Sequence, residues 1–310
     1  MKNLVLISLL SIAFGNIQAI AQNPDTLRAK ITYDFSHLQD TTNREKLYQE
    51  QMVLLLGRNA SAYISLDKVR FDEQRKKDIE EQIKNSAPGK MSINIKSSSK
   101  KLIDTELYLF IKEKKLISKQ KLINNYLIEE EMPVIDWKIS LDTLTISGLK
   151  CQKALAHFKG RDYTAWFCED LPFQSGPWKL NGLPGLIVEA YDTNKDVLYK
   201  FAGFEKVNNS TNTNLNDENF INGTKLSLKG VSSGELLQAA TISLPKNAIK
   251  TTAIEFEKLK AIREKDPQAF MNAALAGQGR NIRMNQSQTT NTATVLKTTI
   301  NNPIELPENK

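Results

Sequence analysis

Apolar and polar residues alternate along residues 28–36, with Ile31, Tyr33 and Phe35 on one side. That period of two predicts a first strand. Residues 47–56 and 60–66 flank the turn-like Gly57, Arg58 and Asn59. The two segments predict a hairpin. From Met91 onward come short strand-like runs at 92–95, 106–111, 115–119, 125–129 and 137–141, then 186–191 and 197–207. Many short strands separated by turn residues predict an antiparallel architecture.

Three stretches break this rhythm. Residues 69–85 are dense in charge, lack Gly and Pro, and carry few apolar residues (Val69, Phe71, Ile79, Ile83). They predict a thinly packed, exposed helix or a mobile insertion. Residues 208–224 are rich in Asn and Thr without apolar periodicity and read as a polar surface loop. Thr252 and Glu255 form a capping box ahead of a helix with Phe256, Leu259 and Ile262 on its apolar side. Asp266 and Pro267 start a second helix that Gly277 ends. Residues 278–310 are a polar C-terminal segment with a terminal strand around 293–300.

The chain opens with Met1, Lys2 and Asn3, an apolar run over 4–14, and small residues at Ala19 and Ala21. This is the order of a secretory signal peptide, with the mature chain starting near Gln22. The apolar run is shorter than the ~20 residues a spanning helix needs. No cysteine follows it to take a lipid, and no later segment predicts a transmembrane anchor. The expectation is a periplasmic or secreted protein with residues 22–310 as a single domain. The net charge is +7, but Lys and Arg interleave with Asp and Glu. Export and this spread argue against nucleic acid as partner. The densest basic stretch, Lys112, Lys114, Lys115, Lys119 and Lys121, reads as a solvated strand face.

Cys151 and Cys168 are the two cysteines. Taking Lys159 and Gly160 as a two-residue turn sets Phe158 opposite Arg161, Ala156 opposite Tyr163, Ala154 opposite Ala165 and Gln152 opposite Phe167. The other face then pairs His157 with Asp162, Leu155 with Thr164, Lys153 with Trp166 and Cys151 with Cys168. An oxidising compartment would permit a disulfide there; two free buried thiols are the alternative.

Residues 171–187 hold three prolines and three glycines among Phe173, Trp178, Leu180, Leu183, Leu186 and Ile187. Pro and Gly exclude regular structure, yet the segment is too apolar for free solvent. A compact loop folded onto the sheet is expected. Gly182, Leu183, Pro184, Gly185, Leu186 and Ile187, with Gly176, Pro177 and Trp178 before them and the cysteine hairpin, resemble the GLPGLI family of exported bacterial proteins. The resemblance implies a secreted or periplasmic setting and supplies no catalytic residue.

Chemistry is sparse. Two histidines, His37 and His157, and no clustered Cys/His spacing give no metal site, and no nucleophile or phosphate-binding motif occurs. No cofactor is expected. Arg161 falls on the apolar face of the hairpin and needs an anion, either structural such as Glu189 or a ligand. Trp166 and Trp178 are candidates to line a cavity or simply to fill the core.

The expected fold is α+β and predominantly β: a curved antiparallel sheet, in the manner of a half-open lipoprotein-carrier barrel, with an exposed charged helix and two C-terminal helices. The expected function is a non-catalytic envelope binding or assembly factor for an apolar ligand or an envelope partner. A hydrolase acting on peptide or glycan, and a structural accessory of an envelope complex, are the alternatives.

Overall fold

The computed structural model describes residues 24–85, 98, 100–207, 220–221, 224–225, 234–276 and 300–308. The leader expected at 1–21, the strand expected at 92–95, most of the loop expected at 208–224 and the strand expected at 293–300 (all but Ile300) lie outside the described residues. The first strands are β1 (Asp25–Thr26), β2 (Ala29–His37), β3 (Tyr48–Leu56) and β4 (Ala60–Ser65), followed by α1 (Leu66–Lys84). Then come β5 (Glu106–Phe110), β6 (Lys115–Lys121), β7 (Asn125–Glu131), β8 (Lys138–Ile146), β9 (Leu149–Phe158) and β10 (Arg161–Cys168). After the loop at 171–185 follow β11 (Leu186–Asp192), β12 (Val197–Lys206), β13 (Phe220–Ile221), β14 (Thr224–Lys225) and α2 (Gly234–Gln238). The last elements are β15 (Thr241–Ile242), β16 (Ile249–Thr251), α3 (Ala253–Lys265) and α4 (Pro267–Ala276).

Among the described residues the chain is mostly β, with 44% strand and 19% helix. One sheet of 12 strands dominates, in the order β16-β7-β6-β5-β4-β3-β2-β12-β11-β10-β9-β8. It does not close into a barrel. Nor is it wholly antiparallel: β16 lies parallel to β7, pairing Ile249 with Tyr126 and Thr251 with Ile128. A parallel neighbour needs a long crossover rather than a hairpin, and β16 is reached only after the chain has traversed β8 to β15.

Period-two alternation divides the buried residues between the two faces. Met52, Leu54, Tyr63, Leu107 and Leu116 belong to one core, which the loop at 171–185 covers with Leu180 and Leu183. Val53, Leu55, Ala62, Tyr108 and Ile117 form a second core with Val69 of α1 and Ile242. We call these the loop face and the opposite face. Central strands covered on both sides explain the continuous apolar run at 52–56, and in β4 even Ser61 is buried. At the β7 end, Phe256 of α3 packs on Tyr126 and Ile128.

α1 begins three residues earlier than its apolar pattern predicts. Ser65 ends β4 and caps the helix at once, its hydroxyl accepting the Lys68 N–H at 2.8 Å. Val69, Asp72, Ile79 and Ile83 are buried, and buried Asp72 is balanced by Lys68 at 2.5 Å. The capping box of α3 forms between Thr252 and Glu255. Phe256 is buried, whereas Ile262 is exposed, so the apolar stripe of α3 is narrower than its sequence implies. Among the described residues no helix is long and apolar enough to cross a membrane.

The β9–β10 ladder runs from Arg161 opposite Phe158 to Phe167 opposite Gln152, the register expected from the turn. Lys159 and Gly160 both adopt positive φ, 52° and 70°, as a twist-matched two-residue turn requires. The disulfide is not formed: Cys151 and Cys168 are free and buried. The ladder stops one pair short of them, and a register shift between Trp166 and Phe167 against β11 redirects the end of β10. Cys151 joins the loop-face core instead of sitting on the outer face of the hairpin. Its thiol is pushed up to about 11 by burial and by the neighbouring Cys168, so it stays protonated.

Candidate functional site

The loop at 171–185 is built by its own backbone. Leu180 N–H bonds Pro177 O at 3.1 Å, Ile187 N–H bonds Ser175 O at 3.1 Å, and Leu186 N–H returns to Leu171 O at 2.9 Å. Ser175 and Asn181 form a bridge that closes the loop on itself. Trp137 donates its indole N–H to Asn181 O at 2.8 Å, tying the loop to the segment before β8. Leu180 and Leu183 are each 1% exposed. Burial of each contributes about 1.5–3 kcal/mol, which fastens the loop to the sheet. Two glycines permit the path. Gly182 has φ +90°, and a Cβ on Gly185 would stand 2.3 Å from Cys168 O.

Between this loop and the sheet lies a cavity of about 290 Å³. Its apolar wall is Phe35, Met52, Tyr63, Leu107, Trp178 and Tyr199, and Ile103 and Ile304 complete it. Phe35 and Tyr199, opposite each other on β2 and β12, stack at 5.0 Å. Tyr63, Leu107 and Ser118 form one cross-strand row over β4, β5 and β6 and all reach the cavity. Trp178 holds a positive φ of 56° and rests on Phe158 and Tyr163, at centroid distances of 5.7 and 6.3 Å.

Besides Thr105 and Gln120, the polar groups of this cavity fall into two sets. Lys179 is held by Glu305 at 2.9 Å and by Glu130 at 3.3 Å, and Glu305 also meets Lys159 at 3.3 Å. Burial alone would raise the Glu305 carboxyl, but its bonds to Lys179 and Lys159 outweigh burial and hold it below the usual carboxylate range. The second set is neutral. The hydroxyls of Tyr63 and Ser118, residues 5% and 4% exposed, have no hydrogen-bond partner. Burial drives the Tyr63 pKa well above its ordinary value, so the group remains a neutral hydroxyl.

The C-terminal strap, residues 301–308, closes one side of the cavity through Ile304 and Glu305. Arg161 anchors it. This guanidinium is buried, pairs with Asp192 at 2.5 Å, and donates to Asn302 Oδ1, Pro303 O and Ile304 O at 2.7, 2.6 and 2.8 Å. Its anion is therefore Asp192 and not Glu189, whose own pKa is raised by burial. His37 donates Nε2–H to Asn302 O at 2.7 Å, and His157 bridges Asp162 and Glu308 at 2.6 and 2.9 Å.

Of the residues singled out in sequence, Trp178 lines the cavity, whereas Arg161 holds the strap and Trp166 is not among the lining residues. Leu183, Leu186 and Ile187 are packed in the core beneath the loop. Met52, Tyr63, Leu107 and Ser118 are not recognisable as cavity residues in the sequence, because their periodicity marks only strands. Their cue was indirect: Ser118 is polar where its strand alternation calls for an apolar residue. Among the described residues no three His, Cys, Asp or Glu side chains are grouped to hold a metal ion.

A family model described as "Protein of unknown function (Porph_ging)" matches residues 156–189, from the end of β9 through the loop into β11. No curated protein matches the chain. Among solved structures it is similar to PNGF-II in the P21 space group at 11% identity and in the C2 space group at 14% identity, with a TM-score of 0.45 for each. Both matches cover 75% of this chain and 32% of that one, so the chain spans about a third of the length of PNGF-II.

Proposed function

We propose that this chain is an exported, non-catalytic binding protein of the GLPGLI type that takes an apolar ligand into the cavity beneath the loop at 171–185. The observation that carries the reading is the cavity itself: apolar and aromatic walls, two unpartnered hydroxyls, and a volume of about 290 Å³. Small-molecule sites have this composition, a mostly apolar lining with few polar groups, at the lower end of the usual ~300–1,000 Å³. The family-model match supports the motif reading, because residues 156–189 include Gly182 to Ile187. A hydrolase would need two carboxylates free to act across a cleft. Glu130 and Glu305 are both engaged by Lys179, which favours binding over hydrolysis.

The test is a fluorescence titration with N-phenyl-1-naphthylamine, a neutral probe that brightens in apolar sites. Saturable binding at one site is expected. Ile103→Trp, a half-buried wall position, and Leu107→Trp, a buried one, should fill the cavity and abolish binding while the circular dichroism spectrum stays unchanged. Binding that persists undiminished in both folded variants refutes the site.

A further inference from the structure

Resting on that reading, we infer that the ligand is uncharged and carries a hydrogen-bonding oxygen, a carbonyl or hydroxyl, on an aromatic or alicyclic body. The charged groups at the cavity are already matched. Two lysines, Lys159 and Lys179, face two glutamates, Glu130 and Glu305, in one chain of ion pairs. A carboxylate ligand would have to displace Glu130 or Glu305 from Lys179, and an ammonium ligand would have to displace a lysine. Either exchanges one ion pair for another and adds the cost of desolvating the ligand's own charge beside an apolar wall.

The groups without partners are neutral. Tyr63 and Ser118 stand in the same cross-strand row, with Leu107 between them; both residues line the cavity, and their hydroxyl oxygens are buried within its wall. Each hydroxyl both donates and accepts, so a carbonyl oxygen or an alcohol satisfies either one. An occupant that supplies such a group recovers a bond whose absence costs the empty protein stability. The body of the ligand meets Phe35, Met52, Trp178 and Tyr199. Flat aromatic walls favour rings over a flexible chain, which would lose more conformational freedom on binding.

The experiment is displacement of N-phenyl-1-naphthylamine by four matched compounds: naphthalene, 2-acetylnaphthalene, 2-naphthoate and 2-naphthylmethylammonium. 2-Acetylnaphthalene should bind about three- to tenfold more tightly than naphthalene, the gain from one recovered buried hydrogen bond. The two ions should bind more weakly than naphthalene. In Tyr63→Phe with Ser118→Ala the advantage of the ketone should vanish while naphthalene binds as before. Equal binding of ketone and hydrocarbon, or tightest binding of either ion, overturns the ligand class and leaves the cavity reading standing. Failure of all four compounds and of the probe overturns both.

Discussion

Arg161 is the residue on which most of the local order depends. It ties Asp192 at the end of β11 to three groups of the strap. Removing one partner of a buried ion pair leaves the other uncompensated. Arg161→Met should therefore destabilise the protein by about 3–5 kcal/mol, read as a lower urea midpoint at unchanged slope. Arg161→Met combined with Asp192→Asn should lose less than the single change. A single-variant loss of less than about 1 kcal/mol, the value of a surface pair, would contradict this account. Arg161 was visible in the sequence as a cation on an apolar face. Its partners were not, because Asp192 and Asn302 lie 31 and 141 positions away. The motif glycines were likewise visible as residues permitting an unusual path, but their reasons differ. Gly182 serves a left-handed backbone, and Gly185 lets the loop approach Cys168.

At the scale of elements, the β9–β10 hairpin was the most legible part of the chain. Its turn type and alternation fixed every pair from Arg161–Phe158 to Phe167–Gln152. The cysteine pairing failed because a bulge is a property of the third strand, β11, which a two-strand argument omits. β8 was read too short. It extends to Ile146, and Ser147 and Gly148, both at positive φ, turn it into β9. The strap was invisible as an element, since it has neither period nor caps. It is nevertheless clamped by both histidines, with opposite pH dependence. Burial is the main cause that holds the His37 pKa below 6.5, so its contribution is present above 6.5 and lost as pH falls through the folded value. Asp162 first and then Glu308 raise the His157 pKa above 6.5, so its contribution is present below 6.5 and lost as pH rises through the folded value. Hydrogen-exchange protection of Asn302 should therefore drop on acidification, and that of Leu306 should drop on the alkaline side. His157→Gln should remove the alkaline limb alone. Protection at both amides that stays flat from about pH 5 to about pH 9, the span of histidine titration, would exclude the clamp.

On the scale of the whole molecule, the predominance of strand followed from the strand-like runs, whereas the burial of the central strands on both faces was shown only by the fold. The order of 12 strands, the parallel edge at β16 and the open sheet did not follow from those runs either, because pairing between distant strands is decided by packing rather than by local pattern. The cavity is a product of that assembly. Its wall draws on β2, β3, β4, β5, β6, β7, β12, the loop and the strap, and no one of these segments announces it. The division into two faces supplies the most direct test. Methyl-labelled protein observed by NMR during titration with 2-acetylnaphthalene should show saturable shifts at Met52, Ile103, Leu107 and Ile304, which line the cavity. Val53, Leu55 and Ile117, buried on the opposite face, should stay unmoved. Shifts centred on the opposite face, or no shifts at the cavity methyls at saturating ligand, would contradict the central claim that the space beneath the loop is a binding site.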